Sequence, residues 1–299
     1  IRRWDEATIA RGIPSIQLME RAARALVPKI LQLVTYRCSV AILAGPGNNG
    51  GDALALSRLL KDMGFENLHT YLVAPGFITL SENCQSNLER VDLTSRIVDE
   101  ADLPEVQELS DMDLIIDGLF GSGLSRPLQG LYAECISRIN KSDSQVISID
   151  IPSGAYADKV VSGNPVAQAD HVLSFQIPKR SFLHAESSEY MKAFELVDIH
   201  LDMGFHENEP CEYQYLKAKH IANPQRKKFS HKSEYGHGVL LAGSSGMYGA
   251  AQLSSKACLR SGIGLLTVHG PWEGMDIIQA TVPEAIYSRD YSRDVISQI

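Results

Sequence analysis

Three short polar clusters carry the residue types and spacings that could do chemistry. The first is Gly45-Pro-Gly-Asn-Asn-Gly-Gly-Asp52, where Gly45, Gly47 and Gly50 meet the G-x-G-x-x-G spacing. Such glycines permit a tight turn, and free N–H groups at a helix start make an anion cradle. Asn48, Asn49 and Asp52 change that chemistry. A carboxylate at a helix start suits the helix dipole but repels a phosphate in the same place. The acidic residue that a dinucleotide site needs about 20 positions on is also absent, since Glu66 precedes the next strand. The cluster therefore suits hydroxyls, an amide or a cation as well as a phosphate, against the plain alternative of a turn between strand and helix. The second cluster is Asp117-Gly-Leu-Phe-Gly-Ser-Gly-Leu-Ser-Arg-Pro127, and the third is Asp150-Ile-Pro-Ser-Gly154.

Each cluster follows an apolar run that reads as a buried parallel strand: Val40–Ala44, Met112–Gly118 and Gln145–Asp150. From Asp52 the residues Leu54, Leu56, Leu59 and Leu60 recur at helical spacing, and 128–139 reads as another helix. Further strands are expected at 68–73, 96–98, 171–175 and 193–197, with a helix from about Ser81. A helix over 14–34 carries Pro28, which predicts a kink or a split. Strands alternating with helices give an α/β fold, a doubly wound, Rossmann-like parallel sheet with helices on both faces. In such a sheet the carboxyl ends of the strands are the ligand edge. Asp117 and Asp150, each closing a strand, are expected at the rim of that crevice. Alone, either could be a turn or helix cap; three polar loops on one edge favour a functional reading.

The composition changes after His206. Residues 207–224 are polar and proline-containing, and read as a linker. The basic cluster Arg226-Lys-Lys-Phe-Ser-His-Lys232 is either a solvated face or a phosphate contact. A second α/β unit then begins: strand 238–242, glycine loop 243–249, helix 250–261 and strand 264–268, with two or so strands in all.

The 299 residues suffice for one large or two modest domains, and 44% hydrophobic with 21% charged residues is ordinary for a globular chain. A net charge of −8 argues against a nucleic-acid surface. No apolar run approaches the roughly 20 residues of a membrane span. The five cysteines show no C-x-x-C and the nine histidines no zinc spacing. Reduced thiols, a cytoplasmic location, a small-molecule partner and homo-oligomeric assembly are the expectations.

The three clusters, with Leu18-Met-Glu-Arg-Ala-Ala23 ahead of them, resemble the amino-terminal YjeF domain, NAD(P)H-hydrate epimerase. His231 through Gly249-Ala-Ala251 and Arg260-Ser-Gly-Ile-Gly264 are similar to the start of the ribokinase-like NAD(P)H-hydrate dehydratase. The resemblance implies an epimerase domain over 1–206, the linker, and the incomplete beginning of a dehydratase domain over 225–299. It implies interconversion of the R and S hydrates of NADH and NADPH, with ADP- or ATP-dependent dehydration of the S form in a longer parent. By motif, Asn48, Asn49, Gly50, Gly51 and Asp52 would contact the hydrate, as would Gly121, Ser122, Gly123, Leu124, Ser125, Arg126 and Pro127. Asn49, Asp117 and Ser153 would hold a potassium ion, and Asp150 would contact the reacting end as proton carrier. Ala53 departs from the family's usual glycine. The dehydratase's late G-T-G-D motif is not among these residues. Readings of another class are a non-catalytic YjeF-like scaffold for RNA or protein, which predicts eroded loops and a basic surface, and a ribokinase-like small-molecule kinase.

Overall fold

The computed structural model describes residues 1–76, 78–91, 96–98, 102–161, 163–220 and 226–297, excepting the side chains of residues 96, 97, 206 and 219. It divides into two compact units, Ile1–Pro210 and Cys211–Ile299. Residues 221–225, where the linker was expected to close, lie outside the described set.

The first unit runs α1 (Arg2–Ala10), α2 (Ser15–Ile30), β1 (Val40–Ala44), α3 (Asn48–Asp62), β2 (Leu68–Val73), α4 (Glu82–Leu88), β3 (Arg96–Val98) and α5 (Val106–Ser110). It continues with β4 (Leu114–Gly118), α6 (Leu131–Lys141), β5 (Gln145–Ile149), β6 (Ala169–Phe175), β7 (Met191–Val197) and α7 (Met203–Asn208). The sheet order is β3-β2-β1-β4-β5-β6-β7, every pair parallel. This is the doubly wound sheet that the alternation predicts. β1 is buried at every residue, as a strand covered on both faces must be. Its side chains alternate between two cores. Val40, Ile42 and Ala44 pack with α2 and α3 residues such as Leu26 and Leu54. Ala41 and Leu43 pack with Leu109 of α5 and Leu131 and Ile136 of α6. A third cluster, around Ile151, Val172 and Phe182, covers the β6–β7 side.

Several boundaries differ from the sequence reading, and β6 and β7, for example, each begin two residues earlier. Asn48–Asp52 opens α3 instead of forming a loop ahead of it; the dense glycines masked the helical period there. α1, which the periodicity did not mark, is tied down by Trp4 Nε1 donating to the Asp202 carbonyl at 2.6 Å and by Asp202 N donating to Thr8 Oγ1 at 3.0 Å. α2 passes through Pro28 without a split and ends at Ile30, because a proline in the last turn removes only one helical hydrogen bond. α6 starts at Leu131, three residues late, behind Gly130 at φ 57°. β4 begins at Leu114, two residues later than read.

The second unit holds β8 (His237–Leu241), α8 (Gly249–Arg260), β9 (Leu265–Gly270), α9 (Gly274–Thr281) and β10 (Ile286–Arg289). Its sheet, β10-β9-β8, is parallel and has one strand more than the pattern after Gly264 indicated. A small core of Ala251, Leu266, Val268 and Ile278 holds it.

Candidate active site

The three clusters leave the adjacent strands β1, β4 and β5, so the sheet itself gathers them on one edge. The turn from β1 into α3 depends on close backbone approach. A Cβ on Gly45 would stand 1.8 Å from the Leu119 carbonyl oxygen, and one on Gly50 would stand 1.7 Å from that of Gly45. Only glycine permits this, and it pulls the open N–H end of α3 down onto the β4 loop. Asn48 is exposed at the mouth. Asn49 is 8% exposed, its Nδ2 is without a partner, and its Oδ1 lies 3.2 Å from where a Gly121 Cβ would be. Ala53 presses its Cβ on Gly118, 2.5 Å from a hypothetical Cβ there. The departure from the family's glycine is thus absorbed by a glycine on the facing strand.

Asp117 is placed otherwise than expected. It is 0% exposed, a floor residue and not a rim one, because its parity on β4 points it to the α6 face beside Leu43 and Ser148 of the neighbouring strands. Four donors serve its carboxylate: Ser153 Oγ at 2.5 Å, Ser148 Oγ at 2.7 Å, Ser153 N at 2.9 Å and Leu119 N at 3.2 Å. Burial lifts this carboxyl above its ordinary range, and the Ser153, Ser148 and Leu119 hydrogen bonds hold the rise back. Phe120 N donates to Ser153 Oγ at 2.8 Å, so the β4 loop, Asp117 and Ser153 form one connected network. All of Asp117's donors are neutral, so no protein cation balances its carboxylate. The unpartnered Asn49 atom is Nδ2, a donor, so the atoms that could serve the cation implied by the resemblance are the oxygens of Asn49, Asp117 and Ser153, which are of the hard kind such an ion takes.

Asp150 sits at φ 66°, in the left-handed region that aspartate tolerates better than most residues. That turn sends its side chain inward, and it is 5% exposed. Lys179 Nζ donates to its Oδ1 at 2.5 Å, and Phe175 N donates to the same oxygen at 3.3 Å. Lys179 is itself 4% exposed. This strand end therefore holds a buried ion pair where the sequence reading expected a lone carboxylate at a rim.

Asp52 and Asp5 complete the arrangement. Asp52 is half-buried at the start of the second turn of α3. Burial lifts its carboxyl well above the usual range, with Asp150 and Asp5 adding to the rise. Asp5, half-buried on α1, is pushed up to about 6, chiefly by burial, with Asp150 raising it and Lys179 lowering it. Sequence reasoning missed both Lys179 and Asp5. Lys179 closes Gln176-Ile-Pro-Lys179 at the end of β6, the next strand along the same edge, which is the signal that could have found it. Asp5 had no such signal, because α1 is not part of the alternation.

Around the mouth, Gly121 and Ser122 are half-buried, Gly123 is exposed, Leu124 half-buried, and Ser125, Arg126 and Pro127 exposed. Arg2 Nη2 would lie 3.5 Å from a Cβ on Gly123, so α1 reaches over this loop. Gly51 packs on Met19. The basic residues 226–232 belong to the second unit, where Arg226 lies over the Tyr235 ring.

A family model described as "YjeF-related protein N-terminus" matches residues 15–181. A bifunctional NAD(P)H-hydrate repair enzyme of Thermofilum pendens is 32% identical over 94% of this chain and 54% of its own length. An NAD(P)H-hydrate epimerase of Limosilactobacillus fermentum is 32% identical over 68% of this chain and 94% of its own. A yeast protein of known crystal structure, ynu0, is 23% identical, with a TM-score of 0.48 over 58% of this chain and 76% of that one. The chain spans about half the length of the bifunctional relatives it matches. With a family match covering more than half of its residues, and a relative of the epimerase kind covered almost end to end, this chain belongs to the YjeF-related amino-terminal family.

Proposed function

We propose that the first unit epimerises the R and S hydrates of NADH and NADPH. The observation that carries the proposal is the buried Asp150–Lys179 pair on the strand edge from which α3 and the β4 and β5 loops leave. The hydrate carries its hydroxyl on C6, a carbon bonded also to nitrogen. Inversion there needs a proton donor and a proton acceptor close to one oxygen. The pair supplies both: the Lys179 ammonium donates only, and the Asp150 carboxylate accepts. Asp150 is the proton carrier in this scheme, and Lys179 holds it in place while being able to lend a proton itself. The α3 turn, Asn48 to Asp52, and the 121–127 loop contact the remainder of the ligand. Asn49, Asp117 and Ser153 would hold a potassium ion, which when bound supplies a fixed positive charge beside the ligand's oxygens. The low exposure of the pair keeps water away from the exchange.

The reading extends to a cytoplasmic, homo-oligomeric enzyme; among the described residues no helix is long and apolar enough to cross a membrane. The relatives named bifunctional reach well beyond the matched part, and ADP- or ATP-dependent dehydration is inferred for a protein carrying that remainder. Incubating the purified chain with S-enriched NADPH hydrate and separating the epimers chromatographically tests the proposal. Enzyme-dependent approach to the R/S equilibrium is expected. A rate equal to the spontaneous one would refute it.

A further inference from the structure

Gln176 sits at φ 62°, in a region that residues other than glycine, asparagine and aspartate enter rarely. It is the middle of a three-residue turn closed by Ile177 N donating to the Phe175 carbonyl at 2.7 Å, the strained form of that turn. The strand before uses the same device. Asp150 is the middle of a turn closed by Ile151 N donating to the Ile149 carbonyl at 2.8 Å. These turns end the adjacent strands β5 and β6, and each is tied twice to the next strand or to the residues just past it. Asp150 N donates to the Leu173 carbonyl at 2.8 Å, and Asp150 Oδ1 accepts from Phe175 N at 3.3 Å. Gln176 N donates to the Val197 carbonyl at 2.8 Å, and Gln176 Oε1 accepts from Ile199 N at 3.1 Å. Ile199 is buried in the same core as Phe175 and Leu201, so its amide is a fixed anchor. Strain of this kind persists where the surroundings over-determine it, and the Val197 carbonyl and Ile199 amide do so here.

Only Ile177 and Pro178 stand between Gln176 and Lys179. Proline fixes its own φ and restricts the residue before it. Lys179 in turn precedes the 3₁₀ turn Arg180–Leu183, where Phe182 N donates to the Lys179 carbonyl at 3.1 Å. The chain direction set at Gln176 therefore passes to Lys179 with little slack. A lysine side chain has much rotamer freedom to lose, so bringing its ammonium to one oxygen of Asp150 requires a fixed root. We propose that Gln176 is a positioning residue for epimerisation: by accepting from Ile199 N, its side chain locks the turn after β6 and so presents the Lys179 ammonium to Asp150. The proposal rests on the epimerase reading above and gives Gln176 no contact with the hydrate. Proton transfer works only within hydrogen-bond reach of the reacting oxygen, and a displacement of about 1 Å can cost roughly 100-fold in rate.

Two variants of the full chain separate the side-chain oxygen from the side chain's bulk. Gln176→Met keeps the length and loses the oxygen, and Gln176→Glu keeps both. S-to-R conversion is measured over a range of hydrate concentrations. For Gln176→Met a kcat lowered about 10–100-fold with KM unchanged is expected, and for Gln176→Glu a kcat within about 3-fold of the natural chain. An unchanged kcat in Gln176→Met, a raised KM in its place, or an equal loss in Gln176→Glu overturns the proposal. A second arm needs no turnover: acetylation of Lys179 by acetic anhydride, located by mass spectrometry, under conditions where circular dichroism shows each protein folded. Lys179 should be protected in the natural chain and in Gln176→Glu, and modified in Gln176→Met. Equal protection in all three overturns the proposal. Should the natural chain show no inversion above the spontaneous rate, the epimerase reading falls, and the acetylation arm separately decides whether Gln176 holds Lys179. Should Gln176→Met fail to fold, Gln176→Asn takes its place in both arms with the same outcomes. Asparagine tolerates a left-handed backbone better, and its side chain is one methylene shorter than the reach to Ile199 N requires.

Discussion

At the scale of single residues, burial decides what each acid can do. Asp117 and Asp150 look alike in the sequence, each closing an apolar strand. Strand parity sends Asp117 to the floor among neutral donors, and a left-handed turn sends Asp150 to Lys179. Removing the partner of a buried charge costs about 3–5 kcal/mol. Lys179→Met should therefore lower the thermal midpoint of the first unit markedly, as read by circular dichroism, and a shift of under a degree would deny the pair its structural role. Ser153→Ala strips one donor from Asp117, and a loss of about 1–3 kcal/mol is expected in chemical denaturation. Asp5 sets a pH dependence. Its carboxyl rises from 3.8 unfolded to about 6 folded, so the folded state holds that proton more tightly. The stabilisation is complete below about pH 4 and is lost as pH rises through 6. Asp5→Asn escapes that loss, so the variant's midpoint relative to the natural chain should climb between pH 4 and 7. A flat difference across that range would contradict the assignment.

At the scale of elements, the strand-to-helix turn from β1 to α3 is the device that positions the cradle. Its strands were legible because a buried parallel strand is a continuous apolar run, as Val40–Ala44 is. The start of α3 was not legible, since Asn48-Asn-Gly-Gly51 has no apolar residue to reveal a period. α1 stayed hidden for a related reason: its buried face is only Trp4 and Thr8, too few for a pattern. Gly50→Ala would drive a methyl into the Gly45 carbonyl. A cost of roughly 1–3 kcal/mol is expected, together with weakened hydrate binding, both checked on the purified variant by denaturation and calorimetry. Unchanged binding would mean that the turn does not set the cradle. Ala53→Gly should behave differently: about 1 kcal/mol of helix stability is lost, and activity is retained.

At the scale of the whole molecule, seven parallel strands bring β1, β4 and β5 side by side, and the chemistry collects where they end. The sequence motifs located three of the four strand ends that line the crevice. The fourth, with Lys179, lacked a motif because a lysine after Ile-Pro reads as an ordinary loop residue. Limited proteolysis should nick residues 207–224 before any part of 117–127, and the reverse order would place the boundary elsewhere. On the proposed reading, Asp150 carries the proton in epimerisation. Asp150→Asn keeps the side chain's size and removes its titrating group. Rates of S-to-R conversion for this variant and the natural chain, with hydrate affinity measured alongside, test that claim most directly. Conversion slowed about 10²–10⁴-fold with binding largely kept is expected, and near-full turnover in the variant would show that Asp150 does not carry the proton.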